Sequence, residues 1–106
     1  MGFIKTPIKG MNDFLPSDMR LREHVINMIK ETYAKYGFSL IETPVMEHLG
    51  NLTGKQGGEN EKLIFPVMKR GADLQRAIEN GGELADSALR YDLTVPLSRY
   101  YANNQA

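Results

Sequence analysis

Residues 17–46, SDMRLREHVINMIKETYAKYGFSLIETPVM, carry two different periodicities back to back. In the first, Leu21, Val25, Met28, Ile29, Thr32, Tyr33 and Tyr36 recur at steps of three and four. That spacing predicts an amphipathic helix over 17–36 with one apolar stripe. Ser17, after Pro16, is placed to cap it, and Asp18 suits the positive end of the helix dipole. Gly37 supplies a left-handed stop, and Phe38 can then fold back onto the last turn, as in a Schellman ending. From Phe38 to Met46 the composition turns to Phe, Leu, Ile, Thr and Val, which predicts a strand. Pro44 cannot donate to a ladder, so this strand is an edge, or is bulged or interrupted there. Pro44 can also mark a bend at a subunit interface, where an unpaired edge meets another copy.

Working outward, the first fifteen residues read as an arm. Phe3-Ile4-Lys5 is a short strand candidate and Gly10-Met11-Asn12-Asp13 a turn. Residues 47–61 are polar and rich in glycine, and predict a mobile loop. Lys62 to Met68 predicts a second strand, broken by Pro66. Residues 69–86 form an excursion, in which Leu74, Ala77 and Ile78 allow one or two helical turns closed by Gly81-Gly82. Ala88 to Leu93 predicts a third strand. A helix follows, with Thr94 as N-cap and Pro96 in the first turn, where a missing N–H costs little. The fold expected is α+β, an amphipathic helix packed on a mainly antiparallel sheet. The chain stops at Asn103-Asn104-Gln105-Ala106, straight after a helix start, which predicts a fragment of a larger domain.

With 106 residues, 42% of them hydrophobic and 25% charged, the composition is that of one globular domain rather than a disordered tail or a coiled coil. Thirteen basic residues balance thirteen acidic ones, with six of each sign up to residue 53 and seven of each beyond. Bulk charge therefore draws the chain neither to nucleic acid nor to an anionic membrane. Without cysteine, disulfides and thiolate metal sites are excluded. There is no apolar run of membrane-spanning length and no leader-like start, so a cytoplasmic protein is expected.

Few segments carry chemistry. Gly50 to Gln56 superficially suggests a phosphate loop, but its spacing is one residue short and Gln56 stands where a Ser or Thr would hold Mg²⁺. His24 and His48 have no partners at metal-ligand spacing, so no metal site is expected. Lys69-Arg70 reads as a solvated pair rather than a phosphate contact. The stretch Leu89-Arg90-Tyr91-Asp92-Leu93-Thr94 differs. On a strand, Arg90, Asp92 and Thr94 share one face and Leu89, Tyr91 and Leu93 the other. A carboxylate beside a hydroxyl can accept an ammonium group, as a free amino acid would supply. The plainer alternative is a solvated face with an Arg90–Asp92 ion pair of little energetic consequence. Spacing alone leaves both open.

Three segments carry a resemblance. Lys9-Gly10-Met11-Asn12-Asp13-Phe14-Leu15-Pro16, Tyr36 to Pro44, and Leu89-Arg90-Tyr91-Asp92-Leu93-Thr94-Val95-Pro96 resemble, in order and spacing, the opening of the histidyl-tRNA synthetases. The Gly-Phe…Glu-x-x-x-Pro stretch is similar to motif 1 of class II aminoacyl-tRNA synthetases. The resemblance implies part of a class II antiparallel sheet with a long motif 1 helix. Residues 1–106 would be the N-terminal part of the catalytic domain, cut before motif 2. The family activates histidine with ATP and Mg²⁺ and transfers it to tRNA(His). Carried over, Asp92 and Thr94 would hold the α-amino group of histidine, with Leu93 giving backbone contacts. The helix at 17–36 and the strand through Pro44 would form a homodimer interface. Motifs 2 and 3 lie beyond this stretch, so it would contain no catalytic residue and, alone, have no ligase activity. The alternative is the regulatory subunit of ATP phosphoribosyltransferase, a non-catalytic relative of the synthetase core. Tyr91 favours the synthetase, because the relative is expected to read more like Arg-Pro-Asp-Met-Thr.

Overall fold

The structure is a computed structural model that describes residues 2–53 and 62–105. It divides into two compact units, residues 1–41 and 42–106.

The first unit centres on helix α1, Pro16–Lys35. It starts one residue before the expected cap. Proline fits best at the first helical position, where its missing N–H would have no partner anyway, so Pro16 rather than Ser17 opens the helix. Leu15, pushed to extended backbone by the following proline, becomes the N-cap and accepts the first helical bond from Met19 at 2.9 Å. The far end forms as expected. Gly37 takes φ +85°, and Gly37 and Phe38 donate to the carbonyls of Ala34 and Tyr33 at 3.1 and 3.2 Å. The Phe38 ring then meets Tyr33 edge to face at 5.3 Å, completing the Schellman ending. Phe3-Ile4-Lys5 is not a strand. The predicted turn lies two residues earlier than expected, from Ile8 to Met11, with Gly10 at φ +87°. None of the residues of α1 is buried.

In the second unit, strands β1 (Met46–His48), β2 (Phe65–Met68) and β3 (Ala85–Leu89) form an antiparallel sheet in the order β1-β3-β2. The sheet and helices make a mixed α+β arrangement. Ala88 is fully buried at its centre, opposite Glu47 on one side and Pro66 on the other. Leu52 from α2 (Leu49–Leu52) and Ile64 complete a small core, flanked by Leu49, Tyr91 and Val95. Pro66 is tolerated because β2 is an edge strand. Beyond it the register slips, leaving Asp86 as the extra residue of a bulge.

Four expectations are corrected here. The strand predicted over 38–46 is reduced to its end, because residues 38–45 have no ladder. The excursion holds a full ten-residue helix, α3 (Gly71–Asn80), closed by Gly81 at φ +65°. Part of the predicted loop 47–61 is ordered as the end of β1 and α2, while 54–61, and with them half of the phosphate-loop-like stretch, lie outside the described residues. The third strand lies earlier than predicted and stops at Leu89, before the polar residues of interest. Its last rung is the Arg90 N–H on the Val45 carbonyl, 2.9 Å. Beyond it the chain bends at Tyr91-Asp92-Leu93, and the ladder ends there.

Candidate functional site

With the strand ended, Tyr91-Asp92-Leu93 bends into α4, Thr94–Asn103. Asp92 and Thr94 are therefore not neighbours on a strand face. They are brought together at the corner instead, where the Thr94 backbone N–H donates to Asp92 Oδ1 at 3.1 Å. This is an Asx turn, and it satisfies one of the helix's free N–H groups. The N-cap position itself belongs to Leu93, one residue before the expected Thr94. Asp92, Leu93 and Thr94 are all exposed, so the carboxylate faces solvent beside the start of the helix. Pro96 is buried in the first helical turn, and Val95 and Tyr91 pack against the core. The corner thus stands on a packed base with its polar side chains outward.

Arg90 does something other than either reading of the sequence. Its Nη1 donates to the Thr43 carbonyl at 2.8 Å, the Thr43 hydroxyl at 3.0 Å and the Pro44 carbonyl at 3.2 Å. Among the described residues it makes no ion pair with Asp92. It is a clamp on the backbone at 43–44, supplying donors that the broken ladder no longer gives. Pro44, the residue expected at a subunit interface, is exposed and lies just outside β1.

Sequence reasoning missed a second anchor. Glu47, on β1, is 4% exposed, and its Oε1 accepts from Arg99 Nε of α4 at 2.7 Å. Oε2 is also buried and has no hydrogen-bond partner among the described residues. Burial alone would raise the Glu47 pKa, but the hydrogen bond and charge of Arg99, with smaller help from the His48 backbone and the Asn51 side chain, outweigh it and hold the carboxyl below its ordinary value. The only sequence signal was an acidic residue amid Met46, His48 and Leu49, in a stretch predicted to be loop.

Among the described residues no group of three or more His, Asp or Glu is placed to hold a metal ion. No helix among the described residues is long and apolar enough to cross a membrane.

Comparison with known proteins gives these residues a context. A family model described as Histidyl-tRNA synthetase matches residues 10–106. The histidine–tRNA ligase of Leifsonia xyli subsp. xyli is 48% identical over 106 residues, covering 95% of this chain and 25% of the relative. That of Gloeobacter violaceus is 48% identical over 90 residues, 85% of this chain and 19% of the relative. That of Cytophaga hutchinsonii is 40% identical over 106 residues, 92% and 23% respectively. The chain spans about a quarter or less of the length of these curated relatives. The match includes the arm from Gly10, α1, the Pro44 segment, the sheet and the Asp92–Thr94 corner. The chain belongs to the histidyl-tRNA synthetase family.

Proposed function

We propose that this chain is the N-terminal part of the catalytic domain of a histidine–tRNA ligase, and that the Asp92–Thr94 corner binds the α-amino group of histidine. The observation that carries the reading is the exposed Asp92 carboxylate, fixed by the Thr94 N–H at 3.1 Å in a segment inside the family match. One carboxylate oxygen is occupied by the turn; the other is left to pair with an ammonium group. A charge-assisted bond of that kind is shorter and about twice as strong as a neutral one. The Thr94 hydroxyl supplies a second acceptor two residues on, and Leu93 offers its backbone. Because Asp92 is pinned through its own turn, little side-chain freedom remains to be lost when the amine arrives.

The chemistry of the full ligase joins the histidine carboxylate to the α-phosphorus of ATP, releasing pyrophosphate, and then transfers histidine to tRNA(His). This segment holds the amino end of one substrate and does not reach the phosphoryl group. Stabilising charge at a pentavalent phosphorus takes preorganised cations or donors aimed at that atom. Those belong to the parts of the ligase outside this stretch, along with the ATP and Mg²⁺ sites. The apolar stripe of α1, with Val25, Met28, Ile29 and Tyr33 about half exposed, and the Pro44 segment would form the interface of a homodimer. A cytoplasmic location follows from the same reading.

The test is histidine-dependent exchange of pyrophosphate into ATP. The intact ligase carrying this segment is expected to catalyse it, and residues 1–106 alone to give no exchange above background. Exchange by residues 1–106 alone would refute the division of labour. A full-length protein that binds histidine but never exchanges pyrophosphate would favour the non-catalytic regulatory relative instead.

A further inference from the structure

Two arginines flank the Asp92–Thr94 corner, and both are tied to the same short segment of chain. Arg90, two residues before Asp92, holds the backbone at Thr43 and Pro44. Arg99, five residues after Thr94, holds the Glu47 carboxylate at 2.7 Å. The corner is therefore suspended between two anchors in residues 43–47. The first is made of neutral backbone acceptors. The second is ionic, and it joins edge strand β1 to α4, the helix whose first residue is Thr94.

The chemistry of this second anchor is uneconomical if stability were its only role. Glu47 is shielded from water, yet its Oε2 has no hydrogen-bond partner among the described residues. A half-satisfied buried carboxylate is a poor source of stability, and a well-packed apolar pair of the same volume usually does as well or better. What an apolar pair cannot do is fix direction. Dispersion contacts let a helix slide or roll by fractions of an ångström, whereas Arg99 Nε aimed at one carboxylate oxygen sets both the axial position and the rotation of α4. The Asp92 carboxylate rides on that helix through the Thr94 N–H. Local rules of this kind are broken chiefly where geometry matters more than stability.

We propose that Glu47 and Arg99 are positioning residues for amine recognition: they set the register of α4 and so the place of the Asp92 carboxylate. The proposal rests on the amine reading of the corner given above. It goes further in assigning part of histidine affinity to a pair that does not touch histidine.

The experiment uses the intact ligase carrying this segment and measures KM for histidine and for ATP separately, with thermal melting as a control. The main variant replaces the pair by apolar side chains, Glu47→Leu with Arg99→Met, which is expected to melt near the native temperature. Its histidine KM is expected to rise about tenfold with ATP KM within about twofold, because a small misplacement of a recognition group is costly. Glu47→Gln serves if the double variant does not fold, with a smaller rise in the same direction. Asp92→Asn is run beside them to test the corner itself. An unchanged histidine KM in the apolar pair, or equal rises for histidine and ATP, overturns the positioning role while leaving the corner intact. If Asp92→Asn leaves histidine KM unchanged, the amine reading itself fails, and the positioning role with it.

Discussion

Replacing Arg99 by methionine isolates the electrostatics of Glu47. In the native chain the Glu47 carboxyl lies below its ordinary value of 4.5, because Arg99, helped by the His48 backbone and the Asn51 side chain, offsets the effect of burial. A depressed folded-state pKa contributes stability that is present above the unfolded value and is lost as pH falls through the folded one. In Arg99→Met the burial remains and the guanidinium is gone, so the folded pKa rises from its native position. The stability that ionised Glu47 contributes then shrinks: the two proteins differ least in acid, where the carboxyl is protonated in both, and the difference grows as pH rises. Breaking a deeply buried pair costs about 3–5 kcal/mol, and an unsatisfied buried acceptor about 1–3 kcal/mol. Glu47 lies on an edge strand, and Arg99 is partly exposed, so a value between these two figures applies, about 2–3 kcal/mol at neutral pH. Urea unfolding of both proteins at pH 7, 5.5 and 4.5 reads this directly. The gap between them is expected to shrink steadily as the pH falls. A gap of equal size at all three pH values would refute the reasoning, because it would mean that Arg99 acts by packing and not by charge.

Other perturbations test other parts of the structure. Gly37→Ala places a side chain at φ +85° where no neighbouring atom lies within 4 Å, so only backbone strain is added. A loss of about 1–2 kcal/mol is expected, read by circular dichroism as earlier fraying of α1 on heating. Arg90→Met leaves the Thr43 and Pro44 carbonyls without their donor, and about 1–2 kcal/mol of local stability is expected to go. Hydrogen exchange should show it first at the Arg90 amide, whose bond to Val45 ends the ladder.

Local signals in the sequence were strong enough to give α1 and its ending, because the apolar stripe, Gly37 and Phe38 act over a few neighbouring residues. They erred where two local preferences competed. Pro16 and Ser17 both favour a helix start, and the fixed φ of proline prevailed. The sheet was harder. Pattern alone extends strands through Pro44 and Leu93, whereas the chain leaves the sheet where it bends at Tyr91-Asp92-Leu93, a turn that a period of two does not reveal. The Asp92–Thr94 pairing was legible as two residues that belong together, but not as an Asx turn, since a period of two and a turn both bring them close. The Glu47–Arg99 pair was out of reach. It links residues 52 apart whose meeting depends on how α4 lies against β1, and neither residue carries a local signature of it.

Amine recognition by Asp92 is most directly measured by comparing L-histidine with imidazolepropionate, its analogue without the amino group, as ligands of the intact ligase and of its Asp92→Asn variant. Asparagine keeps an oxygen for the Thr94 N–H, so the turn survives while the charge is removed. The native protein is expected to prefer histidine strongly, and the variant to lose about tenfold or more of that preference, with imidazolepropionate affinity little changed. An equal preference in both proteins would contradict the assignment, and the amine would then have to be held elsewhere.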